Sequence, residues 1–103
     1  MATFKITESN FEAMVKESAK PVLIDFYADW CGPCKMLAPV LEAISDEHTD
    51  VMVAKVNVDD NPGLASAFGV SAIPTLVVMK DGKPVAKQVG MLSKSEILRM
   101  LGK

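Results

Sequence analysis

Cys31 and Cys34 are the only two cysteines in the chain, and they lie three residues apart in "DFYADWCGPCKM", residues 25 to 36. Two thiols at that spacing can crosslink, hold half of a metal site, or exchange with other disulfides. A crosslink would close a four-residue loop, for which the chain-entropy relation gives about 2 kcal/mol at most before strain. A reducing cytosol would not keep it formed. A structural zinc site takes four protein ligands, and a catalytic one takes three and a water. The only histidine, His48, falls at the far end of the helix that follows the cysteines, roughly 20 Å away at helical rise. It reads as an exposed residue at a helix C-terminus. No metal site is therefore expected within the chain, and only a cluster shared between chains would complete one.

Exchange has the best physical support. The pair sits where an apolar strand ends and a helix begins, and residues three apart in a first helical turn face the same side. Their Cα atoms then fall within the range a disulfide tolerates. Free N–H groups and the helix dipole stabilise a thiolate there. Cys31, nearest the open end, is the expected exposed nucleophile, and Cys34, one turn in, the buried resolving thiol. Pro33 suits a first-turn position, where its missing N–H costs nothing, and it stiffens the loop between the sulfurs.

Two charged residues stand out beside the thiols. Asp25 interrupts the apolar run "VLIDFYA". It is either a polar residue at an exposed strand edge or a buried carboxyl whose pKa burial raises, which suits proton transfer near neutral pH. Lys55 is the matching oddity in "VMVAKVNV". Either the two pair across adjacent strands, or Lys55 snorkels to the end of the sheet.

The elements that must hold these groups alternate along the chain. "TFKI" reads as an edge strand. "SNFEAMVKESAK" reads as a helix, with Ser9 and Glu12 as a capping box, Phe11, Met14, Val15 and Ala19 on one face, and Pro21 as its stop. "VLIDFYA" is a central strand buried on both faces. "CKMLAPVLEAISDEH" is a helix with Met36, Leu37, Val40, Leu41 and Ile44 inward and Pro39 inside it, where a kink is expected. "VMVAKVNV" is a second buried strand. "DDNPGLASAFG" is a short helix capped by Asn61, with Pro62 first and Gly69 last. "TLVVM" and "PVAKQV" form a hairpin around Asp81-Gly82. "SKSEILRML" closes the chain with a Ser93–Glu96 capping box and Gly102 just past the end. The order is βαβαβαββα. Crossover helices make the early strands parallel and the last pair antiparallel, which gives an α/β fold with a mixed sheet and helices on both faces.

Composition is compatible with this and excludes several classes. The 103 residues suit a single domain, 1–103, with 50% hydrophobic and 23% charged residues. A net charge of −2 without a basic cluster argues against nucleic-acid binding. No run approaches the roughly 18 apolar residues of a membrane span. The opening "MATFKITESNF" has no signal-peptide core, and with Met1 first the chain reads as cytosolic. Two cysteines are too few for a disulfide framework.

"WCGPCK" with "DF" before it, "IPT" about 40 residues later and "VG" before the last helix resembles the thioredoxin family, of the bacterial type, over essentially the whole chain. The resemblance implies the thioredoxin fold, a five-stranded mixed sheet flanked by four helices. It implies a protein-disulfide reductase: Cys31 attacks the target disulfide and Cys34 resolves the mixed disulfide. No bound cofactor is implied. The Cys31–Cys34 disulfide would be re-reduced by an NADPH-dependent thioredoxin reductase, and the partners would be that reductase and protein disulfides, with the chain a cytoplasmic monomer. Asp25 would lie beneath the site and deprotonate Cys34. Gly32, Pro33, Lys55 and Pro74 would tune the redox pair, with Pro74 cis and against the cysteines. Trp30, Ile73, Pro74, Gly90 and Met91 would form the apolar rim that binds substrate, with backbone groups of Ile73 pairing with an extended peptide. For Trp30 alone, core packing is the competing reading.

Three positions depart from the usual family pattern. Tyr27 stands where many bacterial members carry tryptophan, Met91 where alanine is common, and Met79 where an aromatic is frequent. Most of the seven methionines read as flexible core filler, Met91 excepted. Two other functions fit the same motif: an oxidant or isomerase, against which Pro33 and the cytosolic N-terminus argue, and a non-catalytic binding or assembly subunit using the rim around Cys31.

Overall fold

The computed structural model describes residues 3–103; Met1, on which the cytosolic reading leans, lies outside them. Five strands form one sheet: β1 (Thr3–Lys5), β2 (Val22–Tyr27), β3 (Met52–Asn57), β4 (Thr75–Lys80) and β5 (Lys83–Val89). Their spatial order is β1-β3-β2-β4-β5. β3 is parallel to β1 and β2, while β4 is antiparallel to β2 and β5. β2 is thus the central strand, which is why Val22 through Phe26 are all buried. Three α-helices, α1 (Gly32–Glu47), α2 (Pro62–Ala67) and α3 (Lys94–Met100), and a π-helical turn (Glu12–Lys16) flank the sheet.

Strand alternation sorts the core into two layers. Val22, Ile24 and Phe26 face the side covered by the π turn and α2, packing with Val15, Leu64 and the partly buried Phe68. Leu23 faces the other side, with Val53, Leu76 and Val78, under Leu37, Leu41 and Ile44 of α1 and Ile97 of α3. By the same alternation Asp25 and Tyr27 of β2, and Lys55 of β3, point toward the α1 side. The sheet therefore delivers its odd acid and base to the layer from which the cysteine helix hangs.

Local signals set most boundaries. Asp81 and Gly82 both have positive φ, 52° and 78°, the two-residue turn that the hairpin needs. A Cβ on Gly82 would also stand 3.0 Å from the carbonyl oxygen of Lys16, so glycine is required there twice over. The Ser93–Glu96 capping box is formed: Glu96 N–H donates to Ser93 Oγ at 3.2 Å, and Ser93 N–H donates to Glu96 Oε1 at 2.8 Å. Ser93→Ala removes the first of these bonds and is expected to cost about 1 kcal/mol. A urea unfolding curve would read it as a lower midpoint at unchanged slope.

Three expectations are corrected. The Ser9–Glu12 capping box does not form, and the long first helix shrinks to the π turn, closed by Glu17 N–H donating to Glu12 O at 3.1 Å. The reason is a competing local turn: Asn10 Oδ1 accepts from Thr7 N–H at 2.7 Å, and the Ser9 hydroxyl pairs with that of Thr7. Phe11, Met14 and Val15 still pack on the core, but Ala19 is exposed. Asn61 occupies the N-cap of α2 without capping it. Its side chain ties Glu8 N–H and Asn57 O instead, and the Glu8 carboxylate takes the free Gly63 N–H at 2.6 Å. Met36, expected inward, is 68% exposed, because the buried stripe of α1 runs through Cys34, Leu37, Leu41 and Ile44.

Candidate active site

β2 ends at Tyr27, and four residues later the chain enters α1 with Cys31 as its N-cap. Gly32 and Pro33 fill the first two helical positions, where a missing N–H is harmless. Cys34 N–H, one of the unpaired donors of the first turn, points at Cys31 Sγ at 3.2 Å. The two cysteines are joined as a disulfide with Cα atoms 5.3 Å apart. The helix start thus offers Cys31 sulfur both a hydrogen bond and the positive end of the dipole.

Cys31 is not the exposed group that its position suggests. It is 4% exposed and Cys34 3%. In the disulfide each sulfur covers the other, and Ala28, Val58 and Ile73 pack around them. The exposed neighbour is Trp30, at 70%, which rules out core packing for its ring. Its Nε1–H donates to Asp59 Oδ2 at 2.9 Å, so the indole is held on the surface by a partner from the loop after β3. Trp30, Val58, Val70 and Ile73 line a groove of about 360 Å³ beside the cysteines.

The Ile73–Pro74 peptide bond is cis and Pro74 is buried. Pro74 O accepts from Gly90 N–H at 2.8 Å, which brings the Gly90 corner (φ 98°) to the proline. Met91 follows, 44% exposed. Trp30 and Ile73 are thus placed together at the groove, and Gly90 and Met91 are linked to it through Pro74.

Asp25 is wholly buried, at 0% exposure, so a solvent-facing strand edge is excluded. Leu76 of β4 lies beside it in register on one side and Lys55 of β3 on the other. Neither carboxylate oxygen has a hydrogen-bond partner among the described residues. Burial pushes its pKa up from 3.8 to about 6, against an opposing pull from Lys55. Lys55 Nζ stands 3.9 Å from Asp25 Oδ2 and 4.7 Å from the centre of the Tyr27 ring, with its side chain 21% exposed. The distance favours pairing: the ammonium turns toward the acid across the adjacent strands, with part of the side chain still open to solvent. A cleft of about 380 Å³ joins Lys55 to Cys34, walled by Tyr27, Asp29, Lys35 and Ala38. It opens on the second cysteine and not on the first.

Val58 and Asp59 escaped the reading from sequence, yet both belong to the site. Parallel pairing of β2 and β3 sets Tyr27 level with Asn57, so the residues following each strand emerge together at one edge. That register is the signal that would have linked Trp30 to Asp59.

A family model described as Thioredoxin matches residues 2–103 of this chain. The chain is 54% identical over 101 residues to a thioredoxin of Mycobacterium tuberculosis (strain ATCC 25618 / H37Rv), covering 97% of this chain and 87% of that protein. It is 48% identical over 101 residues to a thioredoxin of Acidithiobacillus ferridurans, covering 97% and 94%. With a thioredoxin of Chlamydia caviae it shares 47% over 96 residues, covering 93% and 92%.

Proposed function

This chain belongs to the thioredoxin family, and from that premise we propose how its residues divide the work of a dithiol–disulfide oxidoreductase that reduces protein disulfides. Reduced Cys31, as thiolate, attacks one sulfur of the target. The target's other sulfur leaves as a thiolate and takes up a proton. Cys34, deprotonated, then attacks Cys31 Sγ, and the second target sulfur leaves. Two electrons pass to the target and the Cys31–Cys34 disulfide remains. The observation that carries this order is the N-cap geometry, Cys34 N–H on Cys31 Sγ at 3.2 Å, which favours charge on Cys31 rather than on Cys34.

Asp25 accepts the proton of Cys34, with solvent in the cleft between Cys34 and Lys55 as the carrier. Its buried setting and a pKa of about 6 support this, because the group is then ionised at neutral pH and still basic enough to take a proton. Lys55 tempers that pKa. Gly32 and Pro33 set the reach between the sulfurs, and the cis Pro74 holds Ile73, which packs against them.

Extended segments of target proteins dock along Trp30, Ile73, Pro74, Gly90 and Met91. Ile73's backbone groups enter no hydrogen bond among the described residues, so they remain for a peptide to pair with. The chain works as a single-domain monomer in the cytoplasm, without a bound cofactor, and an NADPH-dependent thioredoxin reductase returns it to the dithiol. The test is NADPH consumption with such a reductase and insulin as substrate. Turnover that requires both the reductase and this chain supports the assignment, and no turnover overturns it. In that assay Met91→Ala is expected to raise KM for insulin several-fold more than for a small aromatic disulfide. Equal changes would take Met91 off the rim.

A further inference from the structure

Lys55 has a flexible four-carbon stem and access to solvent. Its ammonium nevertheless stands 3.9 Å from Asp25 Oδ2, without a hydrogen bond to it. Without a hydrogen bond, that ion pair attracts the ammonium but does not fix where it sits. The other contact is the face of Tyr27, 4.7 Å from ammonium to ring centre, well inside cation–π range. Tyr27 is itself fixed. It follows Asp25 by two residues on the same face of β2 and lies level with Asn57 of β3, whose side chain bears on its hydroxyl.

We propose that Tyr27 is a positioning residue for the acid site: its ring face holds the Lys55 ammonium beside Asp25, and so sets how strongly the lysine favours the carboxylate form. This deepens the proton-acceptor reading of Asp25 and rests on it for its consequence in catalysis. Other charged groups face the same region. Lys5 of β1 is in register beside Lys55, Asp29 and Lys35 wall the cleft, and Asp60 acts on Tyr27 from the loop after β3. Of these, only Lys55 bears appreciably on Asp25. Burial, then Asp29, Asp25 and Asp60, hold the Tyr27 hydroxyl above its ordinary range, so the ring facing the ammonium is the neutral phenol.

The test is a carbon-detected NMR titration of the Asp25 carboxyl in the full chain. Tyr27→Leu is expected to raise the midpoint by about half a unit to one unit. Tyr27→Phe, which keeps the ring face, stays at the wild-type value. In a Lys55→Met background, Tyr27→Leu adds nothing, because its effect runs through the lysine. An unmoved midpoint in Tyr27→Leu overturns the proposal. So does a shift that persists without Lys55, which would mean that Tyr27 acts only by shielding. The wild-type protein gives a check that needs no variant: the Lys55 ε-protons shift upfield under the Tyr27 ring current, and unshifted resonances overturn the proposal. If the midpoints move as expected but the pH profile of mixed-disulfide release does not follow them, the pairing stands and the proton-acceptor role of Asp25 falls.

Discussion

Cys34→Ser, reduced and mixed with a disulfide-bonded protein, accumulates a covalent complex through Cys31, whereas Cys31→Ser accumulates none. Both variants lose insulin turnover to the level of the dithiothreitol background. The difference between them comes from the start of α1. Cys31 occupies the N-cap, where Cys34 N–H already points at its sulfur. Cys34 lies inside the helix and faces the cleft toward Lys55. A serine hydroxyl at position 34 cannot ionise near neutral pH, so the second exchange stops and the mixed disulfide persists until added dithiothreitol releases the target. Intact-protein mass spectrometry reads the adduct directly. A stable adduct on Cys31→Ser, carried by Cys34, would reverse the assigned order. The burial of both sulfurs in the oxidised form makes a further demand: the attacking thiolate of Cys31 must gain access once the bond opens. Alkylation by iodoacetamide is therefore expected at Cys31 in the reduced protein, well ahead of Cys34.

Much of this arrangement was legible from local pattern. The run "VLIDFYA" reads as a buried central strand and β2 is one. Asp81-Gly82 reads as a tight turn, and Ser93 with Glu96 as a box; each is decided by residues within four positions of one another. The failures come from competing partners that a capping pattern does not show, some local and some distant. Ser9 and Glu12 have the spacing of a capping box, but Asn10 is committed to Thr7. Glu8 is drawn off to Gly63, 55 residues along the chain. Asn61 has the identity of a cap, yet its oxygen serves Glu8. No local pattern distinguishes an asparagine that caps its own helix from one that ties two distant segments.

The site divides in the same way. The cysteines, the aspartate and the lysine are chemically conspicuous in their segments and could be picked out singly. Their grouping was harder, because it depends on register. Asp25 pairs with Lys55, and Tyr27 with Asn57, only because β2 and β3 are parallel in that alignment. A one-residue slip would turn the acid to the other face of the sheet, away from α1. Trp30 and Asp59 meet for the same reason. Position at the helix start overstates the exposure of Cys31, because its burial depends on Val58 and Ile73, which arrive from two other loops, and on the disulfide itself.

Asp25→Asn should make the protein more stable at pH 8 while making it a slower reductase. The carboxyl's pKa is raised from 3.8 to about 6, with desolvation the larger cause and Lys55 opposing it. An acid whose pKa is higher in the folded state binds its proton more tightly there. Well below pH 3.8 the folded and unfolded carboxyls are both neutral, and folding bears no penalty. Above about pH 6 the folded protein must bury a charge that the unfolded chain leaves in water. A gap of about two pH units corresponds to roughly 3 kcal/mol of stability lost as pH rises through that window. Asparagine never ionises, so Asp25→Asn is expected to gain about 3 kcal/mol over the wild type at pH 8 and little near pH 3.5. Lys55 loses its partner in the variant, but it is 21% exposed and can turn to water at little cost. Urea unfolding of both proteins across that range measures the difference. A gain of equal size at both ends would assign it to packing and not to ionisation. In stopped-flow work the same substitution slows release of the mixed disulfide near neutral pH, because Cys34 has lost its proton acceptor. Release rates that match the wild type across about pH 6 to 8 would leave Asp25 as a costly buried charge with no part in the exchange.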